Sequence, residues 1–524
     1  MARIGVDFGT TNTVAVAHDR GLFSVVLHKA TSKVGTIVQE TFPSAILIDR
    51  ASGNRYYGIE ADRRFGQLGP GGNHVFLSSL KRHLRDYSEG QRVEAADGPA
   101  YDVAELLRGF LTALGESIRA SLGSAADEPL ESVITWPANA NGAQRHITRR
   151  CFQEAGFDVI DTLNEPTASA IELADCHTSG RDLGQLRGPS AVAVFDLGGG
   201  TFDASVVWVD GDDFRVLASS GISDLGGDDF DSLLLGMFFE KLGAAGLGIS
   251  PLTRHALLRQ ARSQKEGISA GAARSLFLNP LDFGIDGRPV SIPVQALYER
   301  LRPHLRRAVE MLRRVLDAAA DREPRLTSGA PLSIYLVGGS SKLPLVAEMV
   351  SAAFPDDRVV LTDKPFTSVA MGAAVSAADR VTYRDIFARH FGLIRLRDHG
   401  RTEIFDPIFP AGTSLPRRGE PPLEKAVWYH PRHNIGHLRY LECTSVGANG
   451  LPDGDVRDWT DIHFPYDPAV PMARCMGRVE ILPTDRFCRD AVCEVYRCDS
   501  DGVITVELRR PACGDARIYE IFRD

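Results

Sequence analysis

The sequence has no uninterrupted apolar run of membrane-spanning length among its 524 residues, which argues against a helical integral membrane protein and against a membrane partner. The first strand is expected almost at Met1, leaving no stretch for a cleaved leader. A cytoplasmic location is therefore expected. Basic residues are not in excess: 59 Lys and Arg against 68 Asp and Glu give a formal charge of −9, which disfavours a general nucleic-acid binder. The one Arg-rich stretch (Arg302, Arg306, Arg307, Arg313 and Arg314) alternates with apolar residues at helical spacing and reads as a solvated helix face. No Cys-x-x-Cys pair occurs among the 8 cysteines. Cys151 and Cys176 stand in the first half, with Cys443, Cys475, Cys488, Cys493, Cys498 and Cys513 near the C-terminus. The spacing of Cys488, Cys493 and Cys498 suits neither zinc ligation nor one helix face, so buried free thiols are expected.

What is present is enough chain for two or more cores, in a composition of 44% hydrophobic and 24% charged residues that is ordinary for a globular protein. Up to about residue 380, strands alternate with helices, the pattern of an α/β fold. The expected strands include Ile4–Asp7, Thr13–Ala17, Phe23–His28, Ser44–Ile48, Ser132–Trp136, Val159–Leu163, Val192–Phe195 and Ser333–Val337. The expected helices include Val75–Arg85, Val103–Ala120, Asn141–Phe152, Ser232–Leu242, Leu257–Ile268, Leu301–Ala319 and Thr367–Ala378. Beyond residue 380, prolines and glycines separate short β-like runs, with Asp501-Gly502 as a hairpin turn. The expected division is 1–380, a linker and first strand at 381–392, and a mostly β domain over 393–524.

The most informative stretch is Val194–Asp203. An apolar strand ends at Asp196, turns through Gly198, Gly199, Gly200 and Thr201, and returns as a second strand. Three adjacent glycines let backbone N–H groups approach a large anion, and the flanking acids make sense if a hydrated cation lies between them and a phosphate. The same design opens the chain as Ile4-Gly5-Val6-Asp7-Phe8-Gly9-Thr10-Thr11-Asn12-Thr13. Two such turns far apart suggest related halves gripping one ligand.

Three further motifs stand in order: Asn164-Glu165-Pro166-Thr167-Ala168, Leu225-Gly226-Gly227-Asp228-Asp229-Phe230-Asp231 and Val337-Gly338-Gly339-Ser340. With the two turns, they make residues 1–380 resemble the nucleotide-binding domain of the seventy-kilodalton heat-shock (DnaK-like) chaperones, on the actin–hexokinase–chaperone ATPase fold. Trp136-Pro137-Ala138 with Arg145 resembles that family's proline-switch segment. Phe405–Pro416 and Val495–Val506 more faintly resemble its β-sandwich substrate domain, whereas its helical lid has no counterpart.

The resemblance implies ATP or ADP with Mg2+, and K+ as a further candidate ion. Phosphates would lie between Gly9, Thr10, Thr11, Asn12 and Gly198, Gly199, Gly200, Thr201. Asp7 and Asp196 would hold the magnesium through its waters, with Asp203 a third metal-site residue. Lys81 would offset charge at the γ-phosphate, and Glu165 would orient or deprotonate the attacking water with help from Thr201. Adenosine would rest among Gly226, Gly227, Lys265, Ser269, Gly338, Gly339, Ser340 and Lys342.

Some positions depart from the family. Arg262 stands at a usual acid, Glu266 at a frequent Arg, and Lys342 at an Arg that covers the base, so lower nucleotide affinity is expected. Val381-Thr382-Tyr383-Arg384-Asp385 replaces a run of leucines, and Asp161 replaces a basic residue that meets J-domain partners. The resemblance therefore implies an ATP-driven chaperone whose β domain binds extended polypeptide. The departures leave open a nucleotide-switched module for one dedicated protein partner, with a standard J-domain partner in doubt. The fold also admits a small-molecule kinase or an actin-like filament protein.

Overall fold

The computed structural model describes residues 2–521 apart from 33–34, 69–72, 95–98, 126–127, 179–188, 244–247, 270–272, 398–401, 468, 471–479 and 483–490. The chain divides into two compact units, residues 1–140 with 147–382, and residues 141–146 with 383–524.

The first unit contains the same sheet twice. Strand Arg3–Phe8 pairs antiparallel with Asn12–Asp19, which continues to Leu22–Val25; on its other side it pairs parallel with Leu130–Trp136, then Phe157–Asn164. Strand Ser190–Leu197 likewise pairs antiparallel with Phe202–Asp210 and onward to Asp213–Ile222, and parallel with Leu332–Val337, then Arg358–Leu361. Strand order and direction match throughout, so the repeat seen in sequence is a repeat of lobes. Ser190–Leu197 is buried at every position, as expected for a central strand covered on both faces.

Each lobe has its own core. In the first, the amphipathic helix Val103–Leu122 lays Leu107, Phe110, Leu111 and Leu114 against Phe8 and Phe152. In the second, Leu301, Leu305 and Leu312 of the long helix Val294–Arg322 pack with Phe195, Phe202 and Trp208. The arginines of that helix face outward or lie half-buried, Arg302 pairing with Glu348. Helices Glu165–Thr178 and Ser368–Ala377 lie so close that a Cβ on Gly372 would overlap the Ala168 carbonyl.

Two sequence expectations fail locally. The run 75–85 is not one helix: His74–Ser78 is a strand paired antiparallel with Ala45–Asp49, and a short 3-10 turn Leu80–Leu84 follows. Cross-strand pairing claims Val75 and Leu77, and Ser79, at φ 57, breaks the chain direction between the two pieces. The run 23–28 also splits, into Leu22–Val25 and a separate strand His28–Ser32 paired with Gly35–Gln39. The helix expected from Ser232 starts earlier, at Gly227, and so takes Asp228 and Asp229 into its first turn.

In the second unit, two four-stranded antiparallel sheets share one core. One runs Thr402–Phe409, His390–Arg397, Ile435–Val446, Pro452–Pro465; the other runs Leu423–Tyr429, Val492–Cys498, Ile504–Arg510, Asp515–Glu520. Phe391, Leu393, Tyr440 and Phe464 of the first meet Tyr496, Val506 and Leu508 of the second. Cys151, Cys443, Cys493 and Cys498 are buried free thiols, whereas Cys513 is exposed because it sits in a surface turn. Cys475 and Cys488, and the side chain of Cys176, lie outside the described residues.

Candidate nucleotide site

The two glycine turns meet. A Cβ on Gly199 would overlap the Thr11 hydroxyl, and one on Gly200 would come 2.5 Å from Thr10 Oγ1. Only glycine allows so close an approach. Gly226 lies behind Gly199, where a Cβ would fall 2.5 Å from the Gly199 carbonyl oxygen. Gly338, at φ +81, closes from the next strand against the Leu197 backbone and the Asp196 carboxylate. Gly227 N–H donates to Gly198 O at 3.0 Å, and Ser340 Oγ donates to the same oxygen at 2.9 Å. Four sequence-distant turns are thus tied into one wall.

They enclose a cavity of about 280 Å³ lined by Asp7, Gly9, Thr10, Thr11, Asn12, Lys81, Glu165, Asp196, Gly198, Gly199, Gly200, Thr201, Gly227, Lys265, Ser269, Gly338, Gly339, Ser340 and Lys342. Gly226 and Asp203 are absent from the lining. Asp203 is fully buried, faces Asp196 across the strand pair, and leaves Oδ1 without a hydrogen-bond partner among the described residues.

Charge is unevenly distributed in this cavity. Lys81, carried by the 3-10 turn, donates to Glu165 Oε1, and both side chains are buried. The remaining acids are left crowded. Burial, then the charge of Glu165, pushes Asp7 up to about 7 and Asp203 up to about 7. Burial, together with Glu165, Asp203 and Asp7, raises Asp196 well above the carboxylate range. Four carboxylates sharing one ammonium, with an orphaned buried oxygen among them, fit a divalent cation, which would favour their ionised forms. Among the described residues, no set of three side chains stands at metal-ligating distance.

A second polar cluster was only partly legible in sequence. Asp228 accepts from Ser79 Oγ at 2.6 Å and Arg262 Nη2 at 2.6 Å, and Arg262 Nε reaches Asp231 at 3.0 Å. Lys265 Nζ donates to Gly227 O at 2.7 Å and lies 2.7 Å from Asp231 Oδ1. Arg82 pairs with Asp229 at 2.8 Å. The arginine at 262, out of place against the family pattern, is therefore matched by Asp228 and Asp231 in the first two turns of helix Gly227–Leu242. Asp228, Asp231, Arg262, Glu266, Pro365, Phe366 and Val369 also line the cavity. The acid-rich Asp228–Asp231 run signalled the first two; nothing in the local pattern around Phe366 did.

Two repeated lobes closing glycine turns on one acid-lined cavity, followed by a β unit, define the actin-like nucleotide-binding class of protein. A family model described as Hsp70 protein matches residues 78–384. The chain belongs to the Hsp70 family. It is 31% identical over 391 residues to a chaperone protein HscA homolog of Pseudomonas fluorescens strain Pf-5, covering 71% of this chain and 57% of that one. Against an HscA homolog of Acidithiobacillus ferrooxidans it is 35% identical over 285 residues, covering 54% and 42%. A third HscA homolog, from Pseudomonas fluorescens strain SBW25, aligns over 98% of this chain and 76% of its own length at 28% identity. In the first two matches the chain spans about half the relative's length. No helix among the described residues is long and apolar enough to cross a membrane.

Proposed function

We propose that the chain is a cytoplasmic ATP-dependent chaperone-type protein: a slow magnesium-dependent ATPase whose nucleotide state governs polypeptide binding by the β unit. The observation that carries this reading is the meeting of two glycine turns over a buried acid cluster with Lys81 at its edge. In this reading the backbone and hydroxyls of Gly9–Asn12 and Gly198–Thr201 hold the phosphates. Asp7 and Asp196, backed by Asp203, hold the magnesium, which when bound neutralises charge on the transferring phosphoryl group. Lys81 orients Glu165 and adds positive charge where negative charge develops. Glu165, with Thr201, positions the attacking water and accepts its proton. Lys265, Ser269, Gly227 and the Gly338–Lys342 turn hold the nucleoside, with Gly226 supporting that wall from behind.

A second reading, a switch for one dedicated protein partner, is favoured by the β unit's own cavity of about 1000 Å³. Arg395, Glu403, Asp406, Arg439, His430, His433 and His437 line it beside the apolar Leu393, Ile394, Leu396, Val427, Ile435, Leu438 and Ile481, and charges set among apolar groups select a partner by charge as well as by shape. The experiment is steady-state ATP hydrolysis by the full chain with and without a permanently unfolded, reduced and carboxymethylated protein. Several-fold stimulation supports the chaperone reading. Hydrolysis that no unfolded protein alters supports the partner switch, and no magnesium-dependent hydrolysis overturns both.

A further inference from the structure

We propose that Phe366 is the platform on which the nucleobase stacks; this rests on the nucleotide reading above. Phe366 is 41% exposed, yet it lines a cavity whose other walls are mostly glycine and charged groups. It belongs to the loop between strand Arg358–Leu361 and helix Ser368–Ala377, and that loop is firmly tied. Lys364 N–H donates to Thr362 Oγ1 at 3.1 Å, and Lys364 O accepts from Thr367 N–H and Ser368 Oγ, each at 3.0 Å.

The ring edge rests on the Gly338–Gly339 turn, where a Cβ on Gly339 would fall 2.6 Å from Phe366 Cε1. Lys342 Nζ lies 5.2 Å from the ring centroid. The phosphate end of the cavity is fixed by the two glycine turns and the acids, so a rigid, half-exposed aromatic face beside Gly339 and Lys342 is suited to the opposite, heterocyclic end of a nucleotide. Lys342 is a point charge without a flat surface. Phe366 supplies the flat surface, and stacking on it buries an otherwise wet apolar face.

The test is isothermal titration calorimetry on the full chain with magnesium-ATP, and separately with magnesium tripolyphosphate, which has no base. Phe366→Ala and Phe366→Leu are expected to bind ATP roughly tenfold more weakly, while Phe366→Tyr and Phe366→Trp keep near wild-type affinity. Tripolyphosphate should bind the wild type and Phe366→Ala alike. ATP affinity unchanged in the Ala and Leu variants, equal loss in all four variants, or a parallel loss for tripolyphosphate overturns the platform. If the wild type binds no ATP, the nucleotide reading itself falls and takes the platform with it.

Discussion

Lys81 and Glu165 are 84 residues apart in sequence and form a buried ion pair, with side-chain exposures of 6% and 11%. The pair is also the boundary of a charge imbalance, since Asp7, Asp196 and Asp203 crowd behind it. Removing the lysine leaves only acids; removing the acid relieves crowding. In the absence of magnesium and nucleotide, Lys81→Ala is expected to lower unfolding free energy by about 3 kcal/mol. Glu165→Gln is expected to lower it less, because Asp7, Asp196 and Asp203 remain around the lysine. Urea denaturation at neutral pH measures both, and the reverse order would contradict the charge account.

Gly338 tests the geometry of the wall. At φ +81, and with Leu197 O and Asp196 Oδ1 in the way of any Cβ, alanine must push the turn into the cavity or away from the acids. Gly338→Ala is expected to weaken magnesium-ATP binding at least tenfold, an effect of about 1.4 kcal/mol. Gly267 is a fair control, because its Cβ would meet nothing within 4 Å; it lies inside helix Pro251–Ser269, where alanine is the better helix former. Calorimetry on the two variants gives the comparison.

Much of this arrangement was legible in sequence, and the exceptions have physical reasons. Asp7-Phe8-Gly9 and Asp196-Leu197-Gly198 could be matched because a strand ending in an acid and a glycine turn is local chemistry, and the lobes repeat it. The sequence reading places Lys81 on a helix, and Leu77, Leu80 and Leu84 do fall at helical spacing. Pairing of His74–Ser78 with Ala45–Asp49, a non-local interaction, overrode that pattern. Phe366 gave no signal because its exposure depends on how the Gly338–Gly339 turn and the loop after Leu361 converge, which no single window contains. Arg262 departs from the family pattern, and its pairing with Asp228 and Asp231 depends on the helix beginning at Gly227, which the sequence pattern places at Ser232.

His28 is fully buried, bonded through Nδ1 to Ser117 Oγ at 2.8 Å, with Nε2 unpartnered among the described residues. Burial lowers its pKa to about 4. Its unfolded value lies near 6.5, so below that pH the unfolded chain binds the proton first. Its contribution to stability is present above about pH 6.5 and lost as pH falls toward 4, by up to about 3 kcal/mol. The raised carboxylates Asp7 and Asp203 shift stability in the opposite direction, so the test is a difference. From pH 7 to pH 4.5, His28→Gln is expected to lose less stability than the wild type, whatever its starting value.

Arg259 meets Asp62 at 2.9 Å with both side chains exposed, whereas Arg262 is shared between Asp228 and Asp231 in a half-buried setting. Exposed pairs contribute about 0–1 kcal/mol. Asp62→Ala is therefore expected to change nucleotide release less than about fivefold. Arg262→Ala removes the group that links Asp228 to Asp231, leaving Asp231 to Lys265 and Asp228 to Ser79 beside the cavity, and is expected to speed release tenfold or more, an effect of about 1.4 kcal/mol. Stopped-flow displacement of a fluorescent ATP analogue resolves the two.

The most direct test of the central claim is single-turnover hydrolysis of magnesium-ATP by the full chain, with binding measured in parallel, for the wild type, Lys81→Ala and Glu165→Ala. The account predicts slow hydrolysis by the wild type that disappears when magnesium is withheld. It predicts a rate at least about a hundredfold lower in both variants, with ATP still bound. Wild-type rates in either variant, or hydrolysis indifferent to magnesium, would contradict it.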